Sequence, residues 1–160
     1  MYSCNIQCHV GGRGRPHPIS KSQTLSDDYV AIASAAPSSL VDAAALDQAL
    51  RRHVRGDVRF DAGSRALYAT DGSNYRQVPI GVVLPRDSDD VIAAVSLARE
   101  YGAPLLCRGS GTSLAGQCCN VALVLDFTRY MGNILEMDPQ RRTARVQPGV
   151  VLAHLRNAPD

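Results

Sequence analysis

Two short apolar runs, Pro104-Leu105-Leu106-Cys107 and Val121-Ala122-Leu123-Val124-Leu125-Asp126, enclose the segment Arg108-Gly109-Ser110-Gly111-Thr112-Ser113-Leu114-Ala115-Gly116. Those nine residues hold three glycines and three hydroxyls. Glycine permits positive φ and close approach of the backbone. Successive N–H groups in such a loop can converge into a positively polarised nest that suits a phosphate or pyrophosphate. The loop is not a P-loop, because no Gly-Lys-Ser/Thr follows at the required spacing. It also departs from Gly-x-Gly-x-x-Gly, since the third glycine would fall at Leu114. A dinucleotide fold of that kind places a helix directly after the glycines, whereas Gln117-Cys118-Cys119-Asn120 leads into a strand-like run. Glycine content alone leaves a plain surface turn open as the alternative.

The flanking sequence predicts a βαβ unit. Residues 81–84 read as a strand, residues 87–101 as a helix, and residues 103–107 and 122–126 as further strands. Asp87 is placed to cap the helix, with Asp90 in its first turn. Val91, Ala94, Val95 and Ala98 recur as one apolar face. Gly102 and then Pro104 end the helix. Residues 134–138 and 143–147 read as a hairpin around Pro139-Gln140-Arg141-Arg142, and a helix begins near Val150. Upstream, Leu40, Ala43, Ala44, Leu46 and Leu50 predict a first helix over residues 39–53. Residues 1–38 lack sustained periodicity and read as a disordered extension. Their Arg and Ser content would suit a transit peptide, but no amphipathic arginine face accompanies it.

Composition narrows the classes. With no Trp and only two Phe, the core must be aliphatic. A formal net charge of +2 gives no reason to expect nucleic acid or an anionic membrane as partner. No apolar run approaches the roughly 18–20 residues that span a bilayer. Cys4, Cys8 and His9 lie close together, but structural zinc takes four ligands, so no metal is expected. Cys118 and Cys119 read as small packing residues. No Cys-x-x-Cys occurs, and five cysteines without a framework fit a reducing, cytoplasmic setting. His53 and His154 have no partner at catalytic spacing and read as ordinary surface or packing residues.

Several of these pieces, in this order, resemble the FAD-linked oxidases and dehydrogenases of the vanillyl-alcohol-oxidase and p-cresol-methylhydroxylase type. The branch most resembled is that of D-lactate, glycolate and D-2-hydroxyglutarate dehydrogenases. The resemblance is carried by Val83-Leu84-Pro85 with its helix, residues 108–116, Val124-Leu125-Asp126-Phe127, residues 134–138, and Ala144-Arg145-Val146-Gln147-Pro148-Gly149-Val150. Tyr68-Ala69-Thr70-Asp71-Gly72-Ser73-Asn74-Tyr75-Arg76 is similar to the family's lead-in. The implied fold is α+β: a βαβ subdomain followed by the start of a second, β-rich subdomain, with the FAD pyrophosphate between them.

The resemblance implies a cofactor site made of Pro85, Arg108, Gly109, Ser110, Gly111, Thr112, Ser113, Gly116, Pro148, Gly149 and Val150. Backbone N–H groups of Gly109, Ser110, Gly111 and Thr112 would bind the pyrophosphate, with the Thr112 and Ser113 hydroxyls assisting. Gly116 would keep the loop exit tight, and Gly149 would allow close approach to the flavin. Pro148-Gly149 also reads as a plain turn. Arg108 reads equally as an anion partner or as half of an ion pair with Asp126. Some relatives tether FAD through a histidine where Thr112 stands, so FAD here is expected to be non-covalent.

Relatives of this type continue well beyond Asp160, so residues 39–160 are expected to be the first portion of a longer flavin domain, apparently truncated. The substrate implied is a 2-hydroxy acid, oxidised by hydride transfer to FAD. The base and substrate clamp are expected beyond Asp160, and no pattern identifies an electron acceptor. The alternative is a non-catalytic fragment that binds a nucleotide or a partner.

Overall fold

A computed structural model describes residues 41–158. The extension expected over residues 1–38, including Cys4, Cys8 and His9, and the predicted helix start at Ser39 and Leu40 lie outside the described residues.

Helix α1 (Ala43–His53) begins where the Asp42 carboxylate accepts from the N–H groups of Ala44 and Ala45 at 3.1 and 3.0 Å. It ends on Arg51, Arg52 and His53, which suit the negative end of the helix dipole. Its buried stripe is Leu46, Ala49 and Leu50, while Ala44, expected on that face, is exposed. Strand β1 (Asp57–Arg59) and helix α2 (Ala62–Leu67) follow. The short α2 is capped by Asp61, which accepts from Ser64 N–H at 2.8 Å.

Strand β2 (Gly81–Leu84) leads into helix α3 (Ser88–Glu100), and α3 into strand β3 (Leu105–Arg108). Asp87 caps α3 as its sequence position predicts. At the other end Gly102, at φ 65°, donates to Arg99 O, and Ala103 donates to Ala98 O. That pair of bonds is a Schellman stop. It keeps residues 103 and 104 out of the predicted strand, which begins at Leu105 instead.

Strand β4 (Leu123–Asp126) then inserts between its predecessors, giving the sheet order β1-β2-β4-β3. β2, β4 and β3 are parallel, and β1 is antiparallel at the edge. Helices α1 and α3 pack on one face, where Leu46, Leu50, Ala94, Leu97 and Ala98 meet Val58, Val83, Leu123 and Leu125. The opposite face carries Val82, Leu84 and Val124, with Tyr68, Leu106 and Tyr130 half-buried against them. Beyond β4 lie the hairpin β5 (Ile134–Asp138) and β6 (Thr143–Val146), then helix α4 (Leu152–Arg156). An apolar groove of about 380 Å³ runs beside the hairpin and α4. The α+β class and the βαβ-then-hairpin order match the sequence expectation.

One face assignment needs correcting. Val95 is 42% exposed, and the buried positions of α3 are Asp90, Ala94, Leu97 and Ala98. The stripe is rotated because Asp90 turns inward. Its carboxylate, 1% exposed, accepts from the backbone N–H groups of Arg55, Gly56 and Arg86, each at 2.9 Å. One side chain thereby joins the entry to β1, the exit of β2 and the first turn of α3. Burial pushes the Asp90 pKa up, but the three N–H donors and the nearby Arg55 outweigh it, and the net shift is downward.

Truncating this carboxylate leaves three backbone donors without their charged acceptor. Asp90→Ala should therefore lower the unfolding free energy by about 3 kcal/mol, measurable by urea denaturation. Because the folded pKa lies below the ordinary 3.8, the stabilisation is present above that pH. It should fade as pH falls through the lowered value.

Candidate functional site

Three parallel strands bring their C-terminal ends, Leu84, Arg108 and Asp126, to one edge of the sheet. In open α/β sheets this is the edge where ligands bind. The loop over residues 109–116 leaves β3 there. Within the loop, Gly111 lies at φ 68° and Gly116 at φ 78°. A Cβ on Gly111 would sit 2.3 Å from Arg108 Nη2, and one on Gly116 would sit 2.7 Å from Tyr75 Cδ2. Conformation and contact both demand glycine at these two positions. Gly109 differs: a Cβ there would meet nothing within 4 Å.

The Arg108 guanidinium organises the loop from beneath. Its Nη1 donates to Thr70 O at 2.8 Å and Cys118 O at 3.1 Å, with a longer contact to Tyr68 O at 3.5 Å. It also stacks over the Tyr68 ring, 5.3 Å from the centroid. The ion pair with Asp126 considered from sequence does not form. Asp126 instead accepts from Tyr68 OH at 2.6 Å and from Thr128 N–H and Oγ1–H at 2.8 and 2.7 Å. Burial, reinforced by the Asp126 carboxylate, pushes the Tyr68 phenol up to about 12.

A second segment grips the loop from the side. Gly72 N–H donates to Gly111 O at 2.9 Å. Asp71 accepts from Ser73 N–H and Oγ–H at 2.9 and 2.5 Å through one oxygen, and from Cys118 N–H at 3.2 Å through the other. The Ser73 hydroxyl bond chiefly, helped by the two N–H donors, holds the Asp71 carboxyl below its usual range. Sequence reading flagged this stretch only as a lead-in and gave Tyr68, Asp71, Gly72 and Tyr75 no role. The Asp-Gly-Ser turn signal was there, but its target lies more than forty residues away.

With the loop held at these points, its own donors stay free. Among the described residues, no N–H from 109 to 117 donates to a protein acceptor. Ser110 and Thr112 are exposed. The Ser113 hydroxyl is committed to Gln117 Oε1. The other expected site residues lie at the same edge with different neighbours. Pro85 follows β2 and is fully buried. Gly149 is pressed on the turn after β4, where a Cβ would fall 2.1 Å from Phe127 O, and its N–H donates to Met131 O at 2.9 Å. Its close approach is thus to the chain's own backbone. Pro148 is exposed, and Val150 closes a turn on Gln147 O at 3.1 Å.

Cys119 is buried and its thiol is pushed up, first by burial and then by the Asp71 charge. That agrees with a packing role. Among the described residues no group of three or more His, Cys, Asp or Glu could hold a metal ion, and no helix is long and apolar enough to cross a membrane.

Two outcomes follow from this geometry. Gly111→Ala should cost about 1–2 kcal/mol from its left-handed backbone alone, and more if Arg108 is displaced, as read by thermal denaturation. An ultraviolet titration should show a tyrosine component near pH 12, and Tyr68→Phe should remove it. The Tyr68 pKa is raised from 10.0 to about 12, so its contribution to stability is complete below pH 10 and is lost as pH rises toward 12.

Comparison with known proteins agrees with the architecture. D-2-hydroxyglutarate dehydrogenase of Pseudomonas putida is 38% identical over 107 residues, which is 65% of this chain and 11% of that protein. Glycolate oxidase subunit GlcD of Bacillus subtilis is 38% identical over 103 residues, 61% of this chain and 22% of that protein. The chain therefore spans about a tenth to a fifth of the length of these relatives. The crystal structure of p-cresol methylhydroxylase with substrate bound superimposes with a TM-score of 0.62 at 20% identity, covering 71% of this chain and 24% of that one. Residues 79–158, half of the 160-residue chain, match the FAD binding domain family. The edge that gathers the glycine loop and the hairpin exit falls inside or against that match, and this protein belongs to the FAD binding domain family, with FAD as its cofactor.

Proposed function

We propose that residues 109–116 cradle the FAD pyrophosphate non-covalently, as the cofactor-binding part of an oxidoreductase that acts on a 2-hydroxy acid. The observation that carries this reading is the run of N–H groups over residues 109–117 that donate to no protein acceptor, on a loop held by Arg108 and the segment over residues 70–73. Backbone donors normally find partners, and a row of free ones on one loop is a nest for an anion. Gly109 supports the same reading. Nothing inside the protein needs glycine there, and a cofactor lying against the backbone supplies the reason.

Gly109, Ser110, Gly111 and Thr112 then act as donors to the pyrophosphate oxygens. The Thr112 hydroxyl adds a further donor, whereas Ser113 serves the loop through Gln117. A threonine hydroxyl lacks the imidazole nitrogen that could form a flavin tether, so attachment at this loop is non-covalent. Pro85, Pro148, Gly149 and Val150 shape the edge around the cofactor, and the Arg108 side chain holds the loop from within. Bound FAD supplies the acceptor for a hydride leaving the hydroxyl-bearing carbon of the substrate.

The substrate class rests on the two relatives, whose names specify D-2-hydroxyglutarate and glycolate, both 2-hydroxy acids. The cytoplasmic setting read from the cysteines is part of the same proposal.

Absorbance of the purified chain, with and without added FAD, tests the reading. Flavin bands near about 370 and 450 nm that pass into the supernatant on acid precipitation are expected. Colour retained in the pellet would refute the non-covalent assignment. Protein that takes up no FAD would remove the loop assignment.

A further inference from the structure

The strap over residues 70–73 does more than touch the glycine loop. A loop with three glycines carries a large conformational entropy, and a nest binds tightly only if its N–H groups already point the same way. The strap meets the loop at both ends. Near the loop start, Gly72 N–H holds Gly111 O at 2.9 Å. At the loop exit, the Cys118 backbone is held at both its peptide groups, its N–H donating to Asp71 at 3.2 Å and its C=O accepting from Arg108 at 3.1 Å. The strap is itself closed, by the Asp71–Ser73 turn and by a bridge between Thr70 and Arg76. Neither Asp71 nor Gly72 belongs to the two apolar clusters that hold the sheet.

We propose that Asp71 and Gly72 are positioning residues for FAD: they fix the glycine loop in its binding shape before the pyrophosphate arrives. The proposal rests on the reading that residues 109–116 take that pyrophosphate. The sign of the charge supports it. A carboxylate beside an anion-binding loop repels the ligand, so its contribution must come through geometry. Both Asp71 oxygens are spent on N–H and O–H donors of the strap and the loop exit. Asparagine cannot reproduce this pattern. Its NH2 would face either the Cys118 N–H or the Ser73 donors, donor against donor.

The test is a set of titrations of the chain and its variants with FAD, followed by flavin fluorescence, and with ADP, which carries the pyrophosphate without the flavin. Asp71→Asn should weaken both ligands by a similar factor, about tenfold, equivalent to a tenfold fall in the binding-competent loop population. The ligand-free melting temperature should fall by about 4–8 °C, the scale expected when a bonded carboxylate outside the core is neutralised, so the titrations are run well below both transitions. A purely electrostatic role would give the opposite result, tighter binding on removing the negative charge. Gly72→Ala tests the same strap without altering the carboxylate. Its Cβ would lie 3.0 Å from Ser113 O and 3.3 Å from Thr112 O, and it should also weaken FAD and ADP together. It decides the matter if Asp71→Asn fails to fold. Wild-type protein that binds FAD, with variants that bind equally well or more tightly, overturns the positioning role and leaves the loop assignment standing. Wild-type protein that binds neither ligand overturns both.

Discussion

The insertion of β4 between β2 and β3 governs this molecule. Its four residues, Leu123–Asp126, are buried on both faces and hydrogen-bonded on both sides. A parallel neighbour of β3 can be reached only if the chain travels back the length of the sheet. Such crossovers usually use a helix, which satisfies its own backbone. Here residues 109–122 make the return without one. Two bonds fix where the return ends, Leu123 N–H to Pro104 O at 2.8 Å and Ile80 N–H to Ala122 O at 2.9 Å. The irregular crossing needs outside partners, and the strap over residues 70–73 with the Arg108 guanidinium provides them. The first half of the crossing, left at the ligand edge of the sheet, keeps its donors free.

Two charged side chains show the same economy. Asp90 and Arg108 both face backbone groups across the molecule, and Asp90 adds an ion pair with Arg55 at 3.6 Å. Asp90 gathers three N–H groups, and Arg108 gathers two close carbonyls and a third, more distant one. A charged group strengthens such bonds, and at each site it ties segments that no strand or helix connects. The knot at Asp90 holds the start of the βαβ unit. The one at Arg108 holds the loop that the unit exists to present. Gly149, pressed on Phe127 O, then brings the hairpin exit to that same edge.

This division of labour explains how a flexible sequence can serve as a rigid cradle. The glycines that make the loop permissive sit where a side chain would collide. Gly111 is blocked by Arg108, Gly116 by Tyr75, and Gly72 by the loop itself. Of the loop's three glycines, Gly109 alone looks onto open space. Membership of the FAD binding domain family and the position of the free donors concern the same few residues.

Local signals were legible in the sequence. The Asp87 cap, the Gly102 stop, the buried runs of β2 and β4, the β5–β6 hairpin and the glycine loop all follow from residues within about a dozen positions of one another, the range over which capping and periodicity act. The three-residue β1 and the six-residue α2 carry too few side chains to show a period, and they were not foreseen. The family resemblance could be read because its motifs keep their order along the chain. What tertiary structure alone decided is which partner each polar group meets. Asp90 reaches 35 residues back to Arg55, Asp71 reaches 47 residues ahead to Cys118, and Tyr68 reaches 58 residues to Asp126. Sequence spacing made the Arg108–Asp126 ion pair plausible. The sheet order let Tyr68 and Thr128 take Asp126, and left Arg108 the carbonyls of Thr70 and Cys118. Short-range chemistry is written in consecutive residues, whereas a partner at long range exists only once the strands have chosen their neighbours.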